Sequence, residues 1–143
     1  AAALGLPPGA EVQRSVRVRS LAEGPLSYIV CYLPAEIGRS FAEADLERTG
    51  MLQLLERAGA RPAAARQQIG AVLAAPDVAQ ALGIHAGAAL LEVRRVVEDA
   101  DGRPVQYLRA LYRPDLYRIE MAMTRIAGED GIAWTATPAE AAE

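Results

Sequence analysis

The sequence predicts an α+β fold, an antiparallel β-sheet with helices packed on it and an internal two-fold repeat. Three observations predict it. Residues 1–34 and 79–114 read as two copies of one unit. Leu4-Gly5-Leu6 matches Leu82-Gly83-Ile84, Gly9 matches Gly87, Arg17 matches Arg95 and Gly24 matches Gly102, all at one offset. After a one-residue shift, Pro25 matches Pro104 and Tyr28 matches Tyr107. Each copy also carries two β-type runs around a turn, and Asp101-Gly102 between apolar runs is a strong hairpin signal. Finally, the segment between the copies contains a stripe of helical period. A unit of one helix and two strands cannot bury its apolar faces alone, so the copies must pack together. A junction between like halves is also a natural place for a ligand.

The elements follow in order. Ala1–Leu4 is a helix remnant stopped by Gly5, and Pro7-Pro8-Gly9 is a turn. Residues 11–20 alternate as a strand, with Val12, Val16 and Val18 facing one way and Gln13, Ser15, Arg17 and Arg19 the other. A turn at Ala22–Pro25 leads to its partner at 25–34, rich in β-branched and aromatic residues. Residues 35–50 are mixed, with short turns of helix. Met51–Gly59 is a helix: Met51, Leu54, Leu55 and Ala58 form its apolar stripe, Thr49 is the expected N-cap and Gly59 ends it. The alanines of 62–74 suit a helix, but position in the repeat favours a strand around Gln67–Leu73. The second copy opens with a helix that starts at Pro76 and is stopped by Gly83. Strands are expected at 88–98 and 104–113, and a further one over Tyr117–Arg125. The folded domain is expected to end at residue 126, with 127–143 a tail of little order in which Trp134 alone has reason to dock. Because the first copy starts mid-helix, the natural protein is expected to continue upstream by at least one strand.

Composition bounds the function. The chain is 52% apolar and 23% charged, with a net charge of −3, a globular composition with no sign of direct nucleic-acid binding. No apolar run approaches the ~20 residues of a membrane span, and no secretory signal opens the chain. One cysteine, Cys31, and one histidine, His85, leave no basis for an internal disulfide or a structural zinc site. A cytoplasmic setting is the default, and no cofactor is implied.

Arg17-x-Arg19 is the strongest candidate for chemistry. Alternation puts both guanidiniums on one face, about 7 Å apart, where they can clamp a carboxylate or phosphate through bidentate hydrogen bonds. A solvated sheet face is the competing reading. Arg95 lies among Leu91, Val93 and Val97 and needs a partner, either an internal carboxylate (Glu92, Glu98 or Asp115) or a ligand anion. The tyrosines 28, 32, 107, 112 and 117 suit either a pocket wall or sheet packing. Catalytic signals are poor. His85 reads as a loop residue, Cys31 as a small buried hydrophobe, and Glu36, Glu43, Asp45 and Glu47 as a solvated acidic face. No triad-like or Gly-rich phosphate-binding pattern is present, so the chain reads as a binding domain and not an enzyme.

The ordered series L-G-x-x-x-G, R-x-R, G-P-L-S-Y…Y-L-P, L-L-E-x-x-G, Q-x-I-x-A, A-x-x-L-G-I-x-x-G-x-x-L-L, D-x-D-G-x-P-V-Q-Y and Y-R-P-D-x-Y resembles the UTRA domain. That domain is the effector-sensing half of GntR-type transcription regulators of the HutC subfamily, and the resemblance covers about residues 1–125. It implies a chorismate-lyase-like fold, a sheet with helices on one side. It implies a homodimer that binds a small-molecule effector, a phosphorylated metabolite or an organic acid, and acts on DNA only through an N-terminal winged-helix domain absent from this chain. By resemblance, Arg17 and Arg19 bind the effector's anion, and Tyr112, Arg113, Asp115 and Tyr117 line the same pocket. With these go Tyr28, Arg95 and Tyr107 as candidates read from the residues themselves. Sugar-phosphate sensors of the family carry glutamates where this chain has Ile29 and Gln106, which leans toward an organic acid. The alternatives are a lyase-type enzyme on the same fold acting on an aromatic or organic acid, a purely structural dimerisation module, and a swapped-hairpin barrel, against which the helix-bearing insert argues.

Overall fold

The computed structural model describes residues 2–128 and 131–137. A 3₁₀ turn at Ala2–Leu4 precedes the first hairpin, β1 (Val12–Leu21) and β2 (Gly24–Pro34). Three short helices follow, α1 (Ala35–Gly38), α2 (Glu43–Arg48) and α3 (Met51–Arg57), then β3 (Pro62–Leu73). The second copy is α4 (Pro76–Leu82), β4 (Ala89–Asp99) and β5 (Pro104–Tyr112). A last hairpin, β6 (Ala122–Gly128) with β7 (Gly131–Thr137), forms its own two-stranded sheet.

The main sheet has the order β1-β2-β5-β4-β3, antiparallel throughout. The two hairpins therefore meet through their second strands, and the repeat becomes a pseudo-two-fold axis between β2 and β5. Backbone conformation repeats with it. Gly5 and Gly83 have φ of 63° and 64°, and Gly9 and Gly87 have 85° and 83°, positive values that cost glycine little and other residues more. The offset seen in sequence is thus an equivalence in space.

Each copy lends its leading helical turn to the other. The Ala2–Leu4 turn packs on β5, and α4 packs on β2. Val78, Ala79 and Leu82 of α4 meet Leu90, Leu111 and Tyr28. Leu82 is fully buried, which is worth about 1.5–3 kcal/mol for such a side chain. On the opposite face, Ile37 of α1 and Leu55 of α3 cover Cys31, Leu33 and Val97. The contact of α1 with β1 is close: a Cβ on Gly38 would run into the Gln13 side chain. The helices thus divide between both faces, where the resemblance implied one side. The reason is that each face of the sheet offers its own apolar patch. No helix among the described residues is long and apolar enough to cross a membrane.

Three local expectations are corrected. Gly50 is the N-cap of α3, and Thr49 instead closes α2. The ambiguous segment is strand over its whole length, Pro62–Leu73. The strand expected at Tyr117–Arg125 begins only at Ala122, because the chain from Pro114 to Met121 crosses the sheet without regular structure. Past residue 126 the chain completes β6 and forms β7, in which Trp134 is 67% exposed; 129–130 and 138–143 lie outside the described residues.

The face bearing α4 is tied by ions. Glu92 accepts from Arg94 Nε at 2.7 Å and from Arg109 Nε at 2.6 Å, which pins β4 to β5. Burial pushes the Glu92 carboxyl up, but the hydrogen bonds and charges of the two arginines outweigh it and hold the group below the usual range. A carboxyl depressed in the fold adds stability above its unfolded pKa and loses it as pH falls through the folded one. Glu92→Gln should therefore flatten the fall in urea midpoint between neutral pH and about pH 3. An unchanged slope would show that Glu92 contributes nothing to acid sensitivity.

Candidate functional site

The other face of the sheet holds three cross-strand rows. They run Arg19–Ser27–Tyr112–Leu91–Ala71, Arg17–Ile29–Ala110–Val93–Ile69 and Ser15–Cys31–Leu108–Arg95–Gln67. Directly opposed residues share a face, so Arg17, Arg19 and Arg95 all rise from one side. These rows contain three guanidiniums and no carboxylate.

Arg95 decides between the two readings left open by the sequence. Its three candidate internal partners are all engaged by other arginines. Glu92 serves Arg94 and Arg109, Glu98 binds Arg66 at 2.7 Å, and Asp115 binds Arg113 at 2.6 Å. Arg95 donates its Nε to the neutral Gln67 Oε1 at 2.8 Å, and no carboxylate among the described residues pairs with it. Glu92 and Glu98 lie on the opposite face and Asp115 at the start of the strap described next.

That strap is the irregular segment Pro114–Met121. Its start is held by Arg113, which donates to Asp115 and, from Nη1, to the Pro25 carbonyl at 3.2 Å. Tyr117 then stacks on Tyr112, with ring centroids 4.0 Å apart and planes at 16°. Ile119 lies over Ile29, Val93 and Ala110. The strap covers one end of the face, and α1 and α3 cover the other. Arg17, Leu108 and Arg95 lie between, and Leu108 is only partly covered.

Polar groups under this face are buried. Ser27 is fully enclosed, and its hydroxyl has no hydrogen-bond partner among the described residues. Gln106 donates its amide to Cys31 Sγ at 3.3 Å. Burial raises the Cys31 thiol above its ordinary pKa, against the smaller opposing effects of Gln106, Arg17 and Ser15. Burial likewise raises Tyr112, with Tyr117 adding to it, while the charges of Arg19 and Arg95 pull it down. Tyr112 thus sits within electrostatic reach of both basic poles. Among the described residues no cluster of His, Cys, Asp or Glu is suited to a metal, and His85 is exposed in the loop between α4 and β4.

Of the sequence-predicted residues, the structure brings together Arg17, Arg19, Arg95, Tyr112 and Tyr117. Arg113 and Asp115 anchor the strap and take each other's charge. Tyr28 and Tyr107 drop out of the group, because both point to the opposite face: Tyr28 packs with α4 and Tyr107 sits 6.0 Å from Tyr32, ring to ring. Sequence reasoning missed Ser27, Gln67 and Ile119 as site residues. The repeat held one usable signal, since Ser27 and Gln106 are mates at the same offset as Tyr28 and Tyr107.

Residues 1–118 match the UTRA domain family. The chain is 33% identical over 114 residues to an HTH-type transcriptional regulator of Mycobacterium tuberculosis, an alignment that covers 76% of this chain and 42% of that protein. The chain therefore spans less than half the length of this relative. Among solved structures it is similar to a transcriptional regulator from Streptomyces coelicolor, with a TM-score of 0.78 and 34% identity over 96% of this chain and 83% of the other. It is also similar to the ligand-binding domain of a GntR-family transcriptional regulator from Bordetella bronchiseptica, with a TM-score of 0.78 and 28% identity over 86% and 80% of the two chains.

The thiol yields a direct check on this geometry. Cys31 should react with a disulfide reagent far more slowly in the native chain than in urea, since it is 1% exposed with a raised pKa. Equal rates would show that the floor of the face is open.

Proposed function

The chain belongs to the UTRA domain family, and on that premise we propose that it is the effector-sensing part of a GntR-type transcription regulator of the HutC subfamily. Its effector is a small acid, an organic acid in preference to a phosphorylated metabolite, whose anionic group lies on Arg17 and Arg19. Tyr112 and Tyr117 form a wall of the site. DNA is reached through an N-terminal winged-helix domain outside this chain, and the protein works in the cytoplasm as a homodimer.

One observation carries this reading: three guanidiniums share a face whose rows contain no carboxylate. On such a face a ligand acid gains charge-assisted bonds from the guanidiniums. The places where Ile29 and Gln106 stand offer no carboxylate to sugar hydroxyls, which supports the organic acid. The dimer is supported by the last hairpin. Two strands alone are marginal in water, and Met121, Met123, Ile126 and Trp134 are 46–67% exposed there, a surface that a second copy would cover.

Signalling in this reading is a population shift. An effector moves the regulator between arrangements only by its difference in affinity for them, typically about 1–3 kcal/mol of coupling. Calorimetry with a panel of organic acids and sugar phosphates tests the site. Arg17→Ala and Arg19→Ala should each weaken the binding acid roughly 10- to 100-fold, the scale of a lost bond to a charged group, with the thermal unfolding midpoint little changed. Unchanged affinity in both variants would make the pair a surface feature, and binding of sugar phosphates alone would overturn the organic-acid assignment.

A further inference from the structure

Resting on the homodimer reading, we propose that two copies of this chain join edge to edge through β3, antiparallel about a two-fold axis at Gln68, so that their main sheets run on as one. β3 ends the main sheet. Along its outer side the backbone N–H and C=O groups face no strand among the described residues. Such an edge is a template for another strand, and proteins guard it with charges, proline or bulges. β3 has little of this. Pro62 stands at its first position, its irregularity lies between Pro62 and Ala64, and Arg66 is its one charged residue. The opposite edge, β1, carries Arg14, Arg17 and Arg19 in 10 residues. β3 is also uncovered on both faces. Every residue from Ala63 to Ala71 is exposed, with Ile69 at 44% and Leu73 beyond it at 74%.

The strand is complementary to itself, which makes a second copy the occupant. A two-fold axis normal to the sheet keeps each side chain on its own face, so opposed residues share a face. Centred on Gln68, the ladder runs from Ala63 to Leu73 and forms about ten main-chain hydrogen bonds. Centred on Gln67 it would take in Pro62, which has no N–H to give. Centred on Arg66 it would set two guanidiniums opposite each other, and centred on Ile69 it would shorten to 65–73. With Gln68 on the axis, Ile69 meets the partner's Gln67, Ala71 the partner's Ala65 and Leu73 the partner's Ala63. On the α4 face, Arg66 lies over the partner's Gly70. That place is open. A Cβ on Gly70 would touch nothing within 4 Å, and Gln68, Gly70, Glu92 and Arg94 line a shallow recess there of about 560 Å³. The arginine of each copy thus faces a recess of the other that holds a carboxylate.

Cross-linking and sedimentation separate this proposal from the reading beneath it. Opposed residues of antiparallel strands bring their Cα atoms to about 4.5–5.5 Å, within disulfide reach. Gln68→Cys should therefore oxidise to a covalent dimer, while Cys31, 1% exposed, stays unreacted. Ala64→Cys should stay unlinked alone and link when mixed with Val72→Cys. Gln68→Lys and Gln68→Glu each set like charges across the axis. Each should weaken the dimer about tenfold in sedimentation, and a mixture of the two should recover it. A native dimer in which Gln68→Cys does not link, or links no faster than Ala64→Cys, would overturn the β3 contact and leave the homodimer reading standing. So would linkage of Gln68→Cys to Arg125→Cys in a mixture, which would seat the last hairpin on β3. A native chain that sediments as a monomer at every concentration would overturn the proposal together with the homodimer reading.

Discussion

The structure depends on one joint, the antiparallel pairing of β2 with β5. Each hairpin alone exposes two faces and has nothing to bury them against. Joined at their second strands, they place Ile29 against Ala110 and Cys31 against Leu108 at the centre of a five-stranded sheet. Everything at the site is downstream of this register. A slip of one residue would exchange the two faces of β2 relative to β5, sending Cys31 toward α4 and Tyr28 under Arg17. Register also gives the repeat its geometry, because it turns a sequence offset into an axis with Arg17 on one side and Arg95 on the other.

Charge is sorted between the two faces. On one, Glu92 binds two arginines and Glu98 a third, so the acids work as cross-strand ties. On the other, the polar side chains of the rows are arginines and neutral groups. Pairs across strands stabilise a sheet by fractions of a kcal/mol, so keeping the acids on the other face costs the sheet little, and in the proposed function a bound acid adds charge-assisted bonds here. The strap joins this economy to the wall of the site. Arg113 and Asp115 hold its start, Tyr117 stacks on Tyr112, and Ile119 closes the apolar centre. In the proposed function a ligand beside Ile119 would touch this irregular segment, which leads directly into the last hairpin. That continuity gives a physical route from ligand to the surface expected at the dimer contact.

Much of this was legible in the sequence because it is local. Alternation in Val12–Arg19 assigned Arg17 and Arg19 to one side, the glycine pairs announced the turns, and the offset announced the symmetry. What was not legible is set by pairing between strands. Tyr28 and Tyr32 evidently share a face, but only the register shows that it is the face away from the arginines. Arg95 had three plausible acids within reach in sequence, and only the fold shows each engaged elsewhere. The strap was misread as strand because Tyr117 and Ile119 are β-type residues; their partners, Tyr112 and the Ile29–Ala110 centre, are tertiary. Thr49 has the chemistry of an N-cap, yet α2 runs into it and leaves that place to Gly50.

The central claim is that the carboxylate-free face binds an acid while the ion-paired face does not. Two-dimensional NMR of the arginine Nε–Hε resonances, recorded while a binding acid is titrated in, tests it most directly. Saturable shifts at Arg17, Arg19 and Arg95, with Arg94 and Arg109 unmoved, are the predicted result. Shifts confined to Arg94 and Arg109, or spread equally over both faces, would contradict it.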